Sequence, residues 1–158
     1  MNRARRLPDW VILAIILPLY LLLMLILLPA IGLRYVYRSL TIRWQLRRAW
    51  RAGQWILLSY TQSAVWAPYL ENEVIPRLGD ACVAIDRSRP DWKARHPAEA
   101  RAIAHWGGYY EHNPLVVLFP RWRPARTIRL YKAFLDAKHG KPGALQVQLE
   151  RLYGLVGR

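Results

Sequence analysis

The clearest pattern in the chain is a run with no polar alternation at all. Trp10–Leu33 (WVILAIILPLYLLLMLILLPAIGL) holds 24 consecutive uncharged residues. As an α-helix rising ~1.5 Å per residue it would be about 36 Å long, against a hydrocarbon layer of ~30 Å. The run therefore predicts a transmembrane anchor with some tilt, within a first region of residues 1–33. Trp10 and Tyr35 stand near its ends, where amphipathic rings favour the interface. Two other arrangements use the same residues. A cleaved signal peptide could read the small residues Ala30 and Gly32, but the run is far longer than an apolar signal core of ~7–15 residues. A re-entrant hairpin could bend at Pro18 and Pro29, each of which removes a backbone donor.

At Arg34 the pattern becomes amphipathic. In residues 34–53 (RYVYRSLTIRWQLRRAWRAG), Tyr35, Ile42, Leu46 and Ala49 share one helical face. Arg34, Arg38, Thr41, Gln45 and Arg48 share another, and Arg43, Arg47 and Arg51 form a second basic stripe. Gly53 is the expected stop. The segment reads as a basic juxtamembrane helix.

From residue 54 to 158 the period alternates between strand and helix. Trp55–Tyr60 is an apolar run of strand length. Val65–Leu78 has helical spacing, with Ser63 placed to cap it and Pro76 to distort its last turn. Ala81–Ile85 is a second apolar run, and Asp86–Pro97 is polar and irregular. Ala98–Trp106 reads as a short helix, stopped by Gly107-Gly108. Leu115–Phe119 is the strongest strand, bracketed by Pro114 and Pro120. Ala125–His139 and Leu145–Val156 read as helices. Near-continuous apolar strands alternating with helices predict a small, mostly parallel three-layer α/β domain. Three strands are few, so a further strand near Gly108–Tyr110 would complete the sheet.

Charge sharpens the picture of location. The chain has 158 residues and a formal net charge of +14. Nine arginines stand against one acid in residues 1–53, a net +8 that surrounds the apolar run. Such a collar points to anionic lipid headgroups, with Arg34, Arg38, Arg43, Arg47, Arg48 and Arg51 as the contacts and Trp44 and Trp50 at headgroup level. Arginines interleaved with tryptophans can also grip nucleic-acid phosphates. With an apolar span next door, lipid is the simpler partner and nucleic acid is disfavoured. The C-terminal flank is the more basic one, so the positive-inside bias predicts a cytoplasmic C-terminal domain.

Candidate chemistry is sparse. Cys82 is the single cysteine, which excludes an internal disulfide and a cysteine-rich zinc motif. It reads as a small buried residue. His96, His105, His112 and His139 lack paired ligand spacing, so no metal site is expected. Glu111-His112-Asn113 offers acid–base groups but reads as a solvent loop. No nucleotide or nucleophile motif is present, no catalytic residue is assigned, and no cofactor is indicated.

A parallel sheet nevertheless selects a ligand rim, because ligands bind beyond the carboxyl ends of its strands. That rule picks Ser59, Gln62 and Ser63 after the first strand. It picks Asp86, Arg87, Ser88 and Arg89 after the second, and Arg121 and Arg123 after the third. The excess of arginine favours a phosphate or carboxylate. The expected function is binding, as an accessory or signalling component at the membrane. The alternative is a tethered enzyme acting on a phosphorylated or carboxylate substrate. The stretch LLSYTQSAVWAPYLENEVIPRL resembles the opening strand, loop and helix of TIR-type signalling domains. Where such domains cleave NAD they use a later acidic residue, for which the resemblance offers Glu99.

Overall fold

The computed structural model describes residues 9–108 and 113–156. The expected strand at Gly108–Tyr110 and the pair Glu111-His112 fall wholly or partly outside them. The chain divides into two compact units, Met1–Thr41 and Ile42–Arg158.

The apolar run lies in one helix, α1 (Asp9–Ala49, 41 residues), with Pro18 and Pro29 inside it. No turn forms at either proline, so the hairpin arrangement is not adopted. Lost backbone bonds at two prolines are local defects, and the bonds of the flanking turns carry the helix across them. Among the described side chains of the first unit, most large apolar ones stay exposed, Leu25 at 71% and Leu33 at 73%. A helix apolar on all sides and unburied by protein suits a lipid environment. It is long and apolar enough to cross a membrane.

The second unit is a mixed α/β domain. Its strands are β1 (Ile56–Tyr60), β2 (Cys82–Asp86), β3 (Leu115–Leu118) and β4 (Arg126–Arg129), in the order β2-β1-β3-β4. β1 and β2 are parallel, with Ile56 opposite Cys82 and Tyr60 opposite Asp86. β1 pairs antiparallel with β3, with Ile56 opposite Leu118, and β3 pairs antiparallel with β4. The mostly parallel sheet expected from the sequence is therefore corrected to a mixed one. One of its two antiparallel pairings, that of β3 with β4, follows from the short connection Pro120 to Ala125. A connection that short joins only antiparallel neighbours, since a parallel crossover needs a dozen residues or more.

That connection also corrects the helix expected over Ala125–His139. Its first part is the edge strand β4, where Thr127 and Ile128 supply β-branched residues. Arg126 and Arg129 are exposed at either end, and charge protects a sheet edge. The helix proper is α6 (Tyr131–Lys138), followed by α7 (Gly143–Val156). Between β1 and β2 run α2 (Ala67–Tyr69), a π-helical turn (Leu70–Val74) and α3 (Ile75–Leu78). Pro76 has no N–H to give, and the turn before it widens so that Ile75 N–H bonds Leu70 O. The stretch Asp86–Pro97 contains a short helix, α4 (Trp92–Arg95), before α5 (Pro97–Trp106).

Alternate residues of β1 serve two separate cores. Ile56, Leu58 and Tyr60 join Leu70, Val74, Phe134, Leu149 and Leu152. Leu57 joins Ile85, Trp92, Ala102 and Ile103, together with Ile42 and Leu46 from the end of α1. Ile42 and Leu46 are only 3% and 2% exposed. The last turns of the basic helix are thus part of the folded domain.

Candidate functional site

Reversal of β3 splits the expected ligand rim. The carboxyl ends of β1 and β2 do lie side by side, but the carboxyl end of β3 lies at the opposite edge, beside the start of β1. Phe119 N–H bonds Trp55 O there at 2.8 Å. Ser59, Gln62, Ser63, Asp86, Arg87, Ser88 and Arg89 therefore stay together, and Arg121 and Arg123 leave them.

At the first rim the polar groups bind one another. Tyr60 Oη donates to Glu71 Oε1 at 2.9 Å, and Gln62 Nε2 donates to the same oxygen at 2.8 Å and to Asp86 Oδ2 at 3.4 Å. Ser88 Oγ accepts from Gln62 N–H at 2.6 Å, and Ser88 N–H donates to Asp86 Oδ1 at 2.9 Å. Ser63 Oγ accepts from Val65 N–H at 3.3 Å, a local turn rather than a ligand contact. Arg87 Nη1 and Ser59 Oγ both donate to Asn113 Oδ1, at 3.1 and 3.4 Å. The Arg87 guanidinium also lies 4.8 Å from the Trp92 ring centre. Burial works against the Asp86 charge. The Ser88 N–H and hydroxyl, the Gln62 amide and the Arg89 charge outweigh it and hold the carboxyl below its ordinary value. Burial, then the Glu71 hydrogen bond, push the Tyr60 phenol far up, so it remains a donor at neutral pH. This cluster ties two parallel strands and a helix together. Its donors and acceptors are largely spent on each other.

The opposite edge is different. A groove of ≈ 840 Å³ is lined there by Arg43, Arg47, Arg121, Arg123 and Arg126 above Leu46, Trp50, Trp55, Leu118, Phe119 and Leu155. None of its described lining residues is acidic. The end of α1 holds the β3–β4 loop through its carbonyls. Arg43 Nη2 donates to Arg123 O at 2.7 Å, and Arg47 Nη2 donates to Arg121 O at 3.3 Å. Each guanidinium carries five N–H donors, so most remain for another acceptor. Trp50 and Phe119 pack edge to face at 5.7 Å between centroids.

The residues expected at lipid headgroups also divide. Arg34 and Arg38 are exposed on the first unit, while Arg48 and Arg51 are exposed on the second. Arg48 stacks 3.7 Å over the Trp44 ring, which is 53% exposed. Arg43 and Arg47 belong to the groove. Trp50 is drawn into the domain, where its Nε1 donates to buried Glu99 Oε1 at 2.7 Å. Glu99 therefore has a structural role in fixing the end of α1.

Sequence reasoning missed Arg126, Trp55 and Phe119 as neighbours of Arg121 and Arg123. A hairpin signal was present in the short Pro120–Pro124 connection, and it would have placed Arg126 on a strand beside β3. Comparison with protein families, characterised proteins and solved structures finds no match for this chain.

Proposed function

We propose that the chain is a membrane-anchored, cytosol-facing domain that works by binding an anionic ligand, as an accessory or signalling component. The observation that carries this reading is the groove lined by five arginines and no described acid. Like charges gathered at one site repel, and a phosphate or carboxylate offsets that repulsion through paired N–H donors. The apolar wall beneath lowers the local dielectric and strengthens each such contact.

The test is calorimetric titration of the full-length protein with inorganic pyrophosphate, at low and at physiological salt. Arg121→Ala and Arg126→Ala should each weaken binding roughly 10- to 150-fold, the loss expected for one charge-assisted contact of ~1.5–3 kcal/mol. Arg89→Ala, at the other edge of the sheet, should leave it unchanged. Equal affinity in all four proteins would remove the groove as the site.

A further inference from the structure

The groove is too large and too apolar for a small anion alone. Pockets of ~300–1,000 Å³ take whole drug-sized molecules, and this one, at ≈ 840 Å³, has Trp50, Trp55, Phe119, Leu46, Leu118 and Leu155 in its wall. We infer that its occupant is a single acidic phospholipid, with the phosphate on the arginines and the first methylenes of a chain against the aromatic wall. This rests on the anion-binding reading of the groove and names the ligand class.

Three observations point to a lipid rather than a soluble phosphoester. First, charge and apolar surface occur in one groove, which matches an amphiphile and leaves a phosphate-only ligand with uncovered aromatic rings. Second, Trp122 in the loop beside the groove is 86% exposed, between Arg121 and Arg123, with the Arg121 guanidinium 5.2 Å from its ring centre. An exposed tryptophan flanked by arginines has the composition favoured at a headgroup layer. Third, Arg43 in the groove lies only ten positions along the chain from Leu33, the end of the apolar run. Even fully extended that stretch reaches no more than about 36 Å. A tether that short keeps the groove at high effective concentration relative to bilayer lipid.

The experiment uses the full-length protein in nanodiscs of phosphatidylcholine with phosphatidylglycerol that carries a diazirine near the carboxyl end of one chain. After photolysis the labelled peptides are sequenced. The expected result is label on the peptides around Trp50, Trp55 and Phe119, displaced by unlabelled phosphatidylglycerol but not by phosphatidylcholine. Arg121→Ala combined with Arg126→Ala should reduce that label at least fivefold. Leu155→Asp, which puts a negative charge in the apolar wall, should do the same; circular dichroism checks that both variants fold. Label confined to Trp10–Leu40, with pyrophosphate still bound and sensitive to the arginines, would overturn the lipid and leave a soluble anion. Absence of groove label together with absence of pyrophosphate binding would overturn both.

Discussion

The Cys82 thiol illustrates how one half-buried group sets a pH limit. It opens β2 and packs against the core on the α2–α3 side. Burial pushes it up to about 12, and a backbone hydrogen bond at Leu58 offsets only part of that. An unfolded cysteine titrates near ~8.5. Because the folded value is the higher one, its contribution to stability is complete below about 8.5 and is lost as pH rises toward the folded value. The thermal midpoint should fall between pH 8 and pH 11, and fall less in Cys82→Ala. Iodoacetamide at pH 8 should modify the native thiol much more slowly than the urea-unfolded one; equal rates would show that the thiol is not shielded. The sequence pointed to a buried cysteine from its apolar neighbours, and the structure leaves it half-buried at the margin of the core. Its position on an edge strand was not legible, because that depends on strand order.

Among the elements, α1 has two different surfaces along one helix. Leu40 is 61% exposed, whereas Ile42 and Leu46 lie in the second core. The amphipathic face formed by Ile42, Leu46 and Ala49 was visible as a helical stripe. Its partner was not: the same stripe fits a membrane surface or a protein core, and periodicity cannot distinguish them. Leu46→Ala should cost ~2–5 kcal/mol of domain stability, as expected for a fully buried leucine. Leu40→Ala should change it by less than about 0.5 kcal/mol. Denaturant unfolding followed by circular dichroism measures both, and equal effects would contradict the packing of the helix end. β4 is the converse case. Arg-Thr-Ile-Arg sits between two prolines' loop and a helix, and its strand character comes from pairing with β3 more than from its own propensity.

For the whole molecule, the arginine distribution was legible as a basic collar around an apolar run. A phosphatase reporter fused after Arg158 should be inactive, and a cytosolic fluorescent reporter active, if the positive-inside bias sets the orientation. The opposite pattern would place the groove on the far side and sink the cytosolic reading. The collar then separates into two locations that a linear count merges. Arg34 and Arg38 remain on the first unit, while Arg43 and Arg47 become walls of a groove completed by Arg121, Arg123 and Arg126. These two sets are 74 or more residues apart in the chain.

The apolar run, the basic collar, most strand and helix positions and the excess of cationic groups follow from local pattern, because burial period and charge are properties of neighbours along the chain. Strand direction, the fate of Trp50 and the membership of the groove do not. They depend on which way β3 runs beside β1, and that direction lies in the antiparallel pairing of Ile56 with Leu118 and of Ser59 with Leu115. Turning one strand moves Arg121 and Arg123 from a rim of mutually satisfied polar groups to an edge where arginines and aromatic rings face a common groove. Only tertiary pairing carries that information, since it brings together residues whose separation in sequence leaves no local trace.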